Sequence, residues 1–442
     1  MAALPSTSSR LIRKASGPIR AATRPPGSKS ITNRLYVLGG LVRGDGVVRS
    51  PLVSDDTDAM LRALETFGVI IRHEGDVIRM DGGDGRFPGG GEVNLGAGGT
   101  PARFMIAAAT LARLPVVVDG NARMRERPVA EGVEFLRTCG ATITYVEEEG
   151  RLPVRVEPGD GLVGGTIEVG GTASSQFISA LMLVAPWSRD GIEILFTEPP
   201  TSSTYLDLTA RCMQSVGASV EVERTQGWIE AIRVAPGGVG TFDVMVESDA
   251  SSAIYPAALA AMVPGSRVEI QGINEHSAQP DVAAIMALRE SGAGVESHGD
   301  QLLVTGAETL RGLDLDCRGF PDAAVMLGAL AAAAATPSRL TGLDTLRVKE
   351  CDRVEALATE LTRVGCRVES DWGELRIHPG KASADRVTIQ TYDDHRIAMA
   401  FAVLGAVRGG IDVQNPGCVA KSHPGFFDEL AVLCGDSVEE KM

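Results

Sequence analysis

Runs of small and aliphatic side chains, each entered through a turn of Gly, Ser, Thr or Asp, recur six times along the chain. They read "GSKSITNRLYVLGGL", "GAGGTPARFMIAAATLA", "GTASSQFISALMLVAP", "SDASSAIYPAALAAM", "GFPDAAVMLGALAAAA" and "YDDHRIAMAFAVLGAV". Their anchors near Ser30, Thr100, Ser175, Ser251, Asp322 and His395 are spaced by 70 to 76 residues, so six periods account for nearly the whole chain. Each run is rich in Ala, Leu and Met and reads as helical. A second helical pattern with a polar face follows each anchor by roughly 30 to 35 residues, as in "DDTDAMLRALETFGVII" and "ECDRVEALATELTRVGCRVE"; the sixth, "FFDELAVLC", is short. Segments such as "LPVVVDG", "IEILFTEP", "SRVEIQG" and "RVTIQTY" have strand length and strand composition.

Each period therefore reads as strand, helix, strand, helix and then one or two strands. Two helices cannot bury their apolar faces alone, so neighbouring units pack together, and three units in each of two similar domains is the simplest division of six. The fold class this predicts is α/β.

Composition fits that picture. Of 442 residues 44% are hydrophobic but only 4% aromatic, so the cores are built of small and aliphatic side chains. The net charge of −15 excludes a general nucleic-acid binder, which needs a basic face to displace counterions. Charge is nonetheless uneven: the first 44 residues hold eight Lys or Arg and no acid, a local cationic segment able to steer a small anion. Seven scattered cysteines without a CxxC pair read as reduced core thiols, and six histidines without HxxxH or HExxH spacing give no metal site. No apolar run reaches the roughly 18 residues of a membrane span. The N-terminus lacks the apolar core of a secretory signal, so the expectation is a cytoplasmic protein with a frayed leader of about ten residues.

The polar residues cluster at the turns that start the helices. In "PPGSKSITNR" Lys29 and Arg34 sit at a helix start, where the partial positive charge disfavours them unless an anion joins them. In "SDASS" the residues Asp249, Ser251 and Ser252 read first as caps. In "TASSQ" capping by Ser174 and Ser175 and ligand binding stand level, because Gln176 reaches farther than a cap needs. "RERPV" puts Arg127 just before Pro128, a good first helical residue, and "DDHR" puts His395 and Arg396 behind two acids; a solvated turn and an anion site remain open for both. In "RVKECDR" Lys349 and Arg353, four apart, share a helix face and repel mildly, a penalty an anion between them removes. Glu350 beside them is a candidate proton carrier. Asp322 in "GFPDAAVM" is either a cap or a carboxylate that accepts a substrate hydroxyl's hydrogen bond. With Lys421 in "CVAKSHPGFF", seven candidate cations lie far apart in sequence; if they meet, the ligand carries several negative charges.

Taken in order, "PGSKSITNR", "GGTPAR", "RERP", "SSQF", "SDASSA", "PDAA", "RVKECDR", "DDHRIAM" and "AKSHPGFF" make the chain resemble the 5-enolpyruvylshikimate-3-phosphate (EPSP) synthase family over essentially its whole length. The resemblance implies two similar domains, each of three βαβαββ units in an inside-out α/β barrel, with the active site in the interdomain cleft. Residues 28–247 form a domain inserted into one made of 1–27 and 248–442. The implied reaction is transfer of the enolpyruvyl group of phosphoenolpyruvate to the 5-hydroxyl of shikimate 3-phosphate, with release of phosphate and without metal or cofactor, in the shikimate pathway to chorismate and the aromatic amino acids. By the same resemblance Lys29, Ser30, Arg34, Ser174, Ser175, Gln176, Tyr205, Asp322 and Lys349 hold shikimate 3-phosphate. Lys29, Gly99, Arg127, Gln176, Arg353, Arg396 and Lys421 hold phosphoenolpyruvate. Lys29, Asp322 and Glu350 move protons, Asp322 acting toward the hydroxyl. Expected partners are these two small molecules, with no nucleic acid or membrane, and the expected state is a monomer.

Two positions depart from the family pattern. "GAGGT" stands where "GNAGT" is usual, so Ala97 lacks an amide side chain, and Phe104 replaces a frequent Pro five residues after Gly99. The herbicide glyphosate occupies the phosphoenolpyruvate site in the family, and the Phe104 change implies a competent enzyme with weakened glyphosate inhibition. Two other readings stand beside this one: the sibling transferase that uses UDP-N-acetylglucosamine, which commonly has a "KN" pair where this chain has Lys29 and Ser30, and a non-enzymatic six-repeat scaffold.

Overall fold

A computed structural model describes residues 8–172, 174–381 and 385–435. The chain divides into two compact units, one of residues up to Pro26 together with those from Ser248 onward, the other Gly27–Glu247.

In the Gly27–Glu247 unit the repeat is plainest in its middle copy. Strand Gly91–Asn94 leads through helix Gly99–Ala109 to strand Val116–Asp119, then through helix Ala130–Thr138 to strands Thr142–Tyr145 and Val154–Glu157. The first two strands pair parallel, and the last two form an antiparallel hairpin whose second strand joins Val116–Asp119. The sheet order is therefore first, second, fourth, third, and the copy from Gly165 to Val234 repeats it. The copy that opens the unit is permuted. It starts at helix Lys29–Leu41, and the strand running parallel to its Arg43–Arg49 is Gly240–Met245, from the unit's far end.

The other unit has the same plan and is permuted too. Its strand Arg20–Thr23 pairs parallel with Arg267–Gln271, which follows helix Ala250–Met262. The copy from Asp314 to His378 is contiguous, around helices Ala324–Ala333 and Arg353–Arg363. The last copy, Val387–Ile389, helix His395–Arg408 and Ile411–Gln414, is a three-stranded sheet closed by Ser9–Leu11. Of the expected frayed leader, residues 1–7 lie outside the described residues, whereas Ser9–Leu11 is a paired strand.

The six helices that follow the anchors are buried almost throughout: all of Ile31–Leu41, and Ala250–Met262 except Ser251, are buried. Within each unit three of them touch one another, Lys29–Leu41, Gly99–Ala109 and Ser175–Val184 in one, Ala250–Met262, Ala324–Ala333 and His395–Arg408 in the other. Helices lie at the centre and separate small sheets outside, an inside-out α/β arrangement. Small residues permit the close packing. A β-carbon on Gly46 would meet the Gly39 Cα at 2.7 Å, so the helix and its own following strand touch backbone to backbone.

The turn residues cap as helix physics requires. Ser28, Asn121, Ser174, Asp249, Asp352 and Asp394 each accept a backbone N–H from the first turn of their helix. Three local expectations change. Lys349 and Arg353 do not share a helix face: Lys349 follows the short 3-10 turn Asp344–Val348, and Arg353 is the first residue of its helix. Pro128 is not the first helical residue, since that helix begins at Ala130 after Val129. Asp322 is not a cap, because Ala323 stands between it and helix Ala324–Ala333.

Candidate active site

Each unit gathers charged groups where its buried helices begin. In the Gly27–Glu247 unit, half-buried Lys29 is the first residue of its helix, and its Nζ lies 3.2 Å from Asp56 Oδ2 at the start of helix Asp55–Thr66. The Ser30 carbonyl accepts from Arg34 Nη1 at 2.8 Å. Arg34 is nearly inaccessible: Nε donates to Thr209 Oγ1 at 2.8 Å, Nη2 to the Tyr205 carbonyl and Ser179 Oγ, and its guanidinium lies over the Phe104 ring. Burial pulls its pKa down, with Cys212 and Tyr205 opposing. Arg34 thus ties the Lys29, Ser175 and Thr204 helices together, a packing role that the helix-start argument did not foresee.

Gln176 spans two helix starts. Its Nε2 donates to Thr100 Oγ1 at 2.9 Å, and its Oε1 accepts from Arg103, whose guanidinium also stacks on Phe177. Ser174 caps the same helix and Ser175 is its buried first residue. Tyr205 is half-buried on helix Thr204–Ser215. Buried Arg127 lies directly against Gly99, on the side where a β-carbon would project. Lys29, Arg127, Arg103 and Gln176 thus accompany the starts of the Lys29, Gly99 and Ser175 helices.

The second cluster is denser in charge. Arg353, 1% exposed, makes Nε–Oδ2 2.7 Å with Asp394, Nη1–Oδ1 3.0 Å with Asp322 and Nη2–Oε2 2.9 Å with Glu350. Asp322 also takes Arg396 Nη2 at 3.0 Å and Lys349 Nζ at 3.5 Å. Lys421 Nζ donates to Glu350 Oε1 at 2.7 Å. Asp394 caps the helix of Arg396 through that residue's backbone N–H at 2.8 Å, and the His395 ring is buried beside it. Burial alone would raise the Asp322 pKa, but Arg396, Lys349 and Arg353 outweigh it and hold the carboxyl well below its ordinary range. Burial likewise opposes the Arg353 charge, and Asp394, Glu350 and Asp322 keep it cationic. The anion that offsets the Lys349 and Arg353 repulsion is Asp322, a group of the chain itself.

The structure therefore brings together Asp322, Lys349, Glu350, Arg353, Arg396 and Lys421 in one unit, and Lys29, Gly99, Arg127, Ser174, Ser175 and Gln176 around the helix starts of the other. Sequence reasoning passed over Asp56, Arg103, Asp281 and the role of Asp394. Arg103 stands in "GGTPAR", and Asp56 lies within the capping box of Ser54 and Thr57, but nothing local marks either as a partner of a distant group. Asp281 is a buried carboxylate whose Oδ2 accepts from Ser251. Burial first, and Asp322 next, push its pKa up to about 6.

Three copies in each unit, the last of the six reduced to a three-stranded sheet, pack on buried helices with cations at the helix starts, an α/β architecture found in enolpyruvyl transferases. The enolpyruvyl transferase NikO of Streptomyces tendae shares this fold at a TM-score of 0.74 and 14% identity, over 97% of this chain and 98% of that one. The model of the family "EPSP synthase (3-phosphoshikimate 1-carboxyvinyltransferase)" matches residues 13–430. A 3-phosphoshikimate 1-carboxyvinyltransferase of Methanoculleus marisnigri is 38% identical over 94% of this chain and 97% of its own. The EPSP synthase structure from Acinetobacter baumannii superposes at a TM-score of 0.80 with 26% identity, over 97% of this chain and 98% of that one. The chain belongs to the EPSP synthase family.

Proposed function

We propose the following account of how the chain performs its family's reaction. The chain is a 3-phosphoshikimate 1-carboxyvinyltransferase of the shikimate pathway, serving aromatic amino-acid biosynthesis. It transfers the enolpyruvyl group of phosphoenolpyruvate to the 5-hydroxyl of shikimate 3-phosphate and releases phosphate. The observation that carries the account is the Asp322 carboxylate held by Lys349, Arg353 and Arg396.

Both substrates are polyanions, and each needs several fixed cations. Lys29, Gly99, Arg127, Gln176, Arg353, Arg396 and Lys421 hold phosphoenolpyruvate. Lys29, Ser30, Arg34, Ser174, Ser175, Gln176, Tyr205, Asp322 and Lys349 hold shikimate 3-phosphate. Guanidinium groups suit this task because they present paired donors to phosphate or carboxylate oxygens. Already oriented on Asp322, Glu350 and Asp394, those of Arg353 and Arg396 lose little freedom on binding.

Asp322 is ionised at neutral pH, so it is free to accept the proton of the 5-hydroxyl. Three cations make it a weak base, however. A substrate phosphate bound by the same guanidinium groups brings negative charge beside Asp322 and offsets part of theirs, so phosphoenolpyruvate binding itself raises Asp322's basicity. As the hydroxyl oxygen attacks C2, a proton is delivered to the C3 methylene, with Glu350 and Lys29 as the candidate donors. The tetrahedral intermediate then loses phosphate and a methyl proton, which restores the vinyl group. Exclusion of water strengthens each of these charge contacts.

We further infer that residues 28–247 act as one domain and residues 1–27 with 248–442 as the other, and that the enzyme works as a cytoplasmic monomer. The acidic net charge argues against a nucleic-acid partner. No helix among the described residues is long and apolar enough to cross a membrane. The direct test is phosphate release from phosphoenolpyruvate and shikimate 3-phosphate together, with each alone as control, in the parent and in Lys29→Met. Release only with both substrates, lost in the variant, is the expected result. Release from phosphoenolpyruvate alone, or a parent-like rate in Lys29→Met, contradicts the account; so does no release from folded protein, and UDP-N-acetylglucosamine is then the acceptor to try.

A further inference from the structure

We propose that Glu360 is a positioning residue for phosphoenolpyruvate binding, acting through Tyr392 on the turn that carries Asp394 and Arg396. The proposal rests on Arg396 being a phosphoenolpyruvate ligand, as read above.

Glu360 lies near the end of helix Arg353–Arg363, and its side chain is completely buried. Its carboxylate accepts the Tyr392 hydroxyl at 2.8 Å, the Gln390 backbone N–H at 3.3 Å and Arg363 Nε at 2.9 Å. An apolar side chain would fill the same space without the desolvation cost of a carboxylate, so core filling alone does not account for a charged group there. What the carboxylate holds is a turn that needs holding. Tyr392 and Asp393 are consecutive residues in the left-handed region, at φ 55° and 56°, which side chains with a β-carbon disfavour. The Asp394 N–H closes the turn onto the Thr391 carbonyl at 2.8 Å. Asn415 steadies the far side, its Nδ2 donating to Asp393 Oδ1 at 3.0 Å.

This turn delivers Asp394, which caps the Arg396 backbone and receives Arg353 Nε. Helix Arg353–Arg363 therefore grips the turn twice: at its first residue through Arg353 on Asp394, and two helical turns later through Glu360 on Tyr392 and Gln390. Releasing the second grip lets the turn relax toward ordinary dihedral angles and moves Arg396 relative to Asp322.

The test is steady-state kinetics on the full chain for Tyr392→Phe, which removes only the hydroxyl, Glu360→Ala and Arg396→Lys, with unfolding midpoints alongside. Loss of one such hydrogen bond is expected to raise KM for phosphoenolpyruvate about fivefold in Tyr392→Phe. A larger rise is expected in Glu360→Ala, while KM for shikimate 3-phosphate stays at the parent value in Tyr392→Phe. Parent-like KM for phosphoenolpyruvate in Tyr392→Phe and Glu360→Ala, with a rise in Arg396→Lys, overturns the positioning role alone. A parallel rise for both substrates in Tyr392→Phe overturns it as well. No rise in any of the three variants overturns the assignment of Arg396 and the proposal with it.

Discussion

The Arg127 guanidinium rests against the bare Cα face of Gly99: a β-carbon on Gly99 would lie 2.5 Å from Nη1 and 2.6 Å from Nη2. Glycine at this helix start is thus the space in which a cation is seated, and not merely a turn residue.

Gly99→Ala is therefore expected to fold normally, because the group that must yield is the end of a long side chain, and to bind phosphoenolpyruvate more weakly because Arg127 has been displaced. A rise in KM for phosphoenolpyruvate of about tenfold, equivalent to about 1.4 kcal/mol, with little change for shikimate 3-phosphate, is the expected kinetic pattern. Unchanged kinetics would show that Arg127 retreats without consequence.

Substitutions of Lys349 and Arg353 in "RVKECDR" are expected to differ sharply in their effect on stability. Arg353→Met leaves Asp394, Glu350 and Asp322 without their shared buried counter-charge and should cost about 3–5 kcal/mol. Lys349→Ala should cost about 1 kcal/mol or less, since Asp322 keeps both arginines. Denaturant unfolding of the two variants side by side decides the matter, and equal losses would contradict the geometry.

Asp281 and Asp322 respond to pH in opposite directions. The Asp322 carboxyl, held low, contributes stability that is present above the ordinary carboxyl range and is lost as acid protonates the folded form. The Asp281 carboxyl, raised from 3.8 to about 6, binds its proton more tightly in the folded chain, so its contribution to stability falls as pH rises across that window. Asp281→Asn keeps an acceptor for Ser251 and removes the titration. The variant is expected to gain stability relative to the parent between pH 4 and pH 7. A difference in unfolding free energy that stays flat with pH would refute this.

Phe104 is fully buried beneath the Arg34 guanidinium, 5.3 Å from its ring centroid, and lies on the helix that begins at Gly99. Inhibition by glyphosate, measured in competition with phosphoenolpyruvate, is expected to be weaker than in family members with proline at this position. Inhibition as tight as theirs would show that the Phe104 helix presents Gly99 in the same way.

Much of the architecture was legible because it follows from local physics. Six apolar runs, capping residues and strand-length segments announce six similar units without reference to anything distant. The errors came where a local rule met a distant partner. Lys349 and Arg353 were spaced for a helix face, yet they meet through Asp322, a residue from another element. Arg34 stands at a helix start that disfavours a lone cation, and Thr209, Ser179 and the Tyr205 carbonyl, all distant in sequence, bond its guanidinium. Neither partner set has a signature in the sequence around these cations.

By itself the sequence determined the six small-residue helical runs and the turns that start them, because helix propensity and capping act within a few residues. It also determined which side chains bear charge at those starts. Only the tertiary structure decided that Gly240–Met245 and Arg20–Thr23 complete sheets begun elsewhere in the chain, since backbone hydrogen bonds between strands carry no residue code. Only it decided that Arg353 collects three carboxylates from different elements, because a buried charge is stabilised by whatever the fold sets beside it.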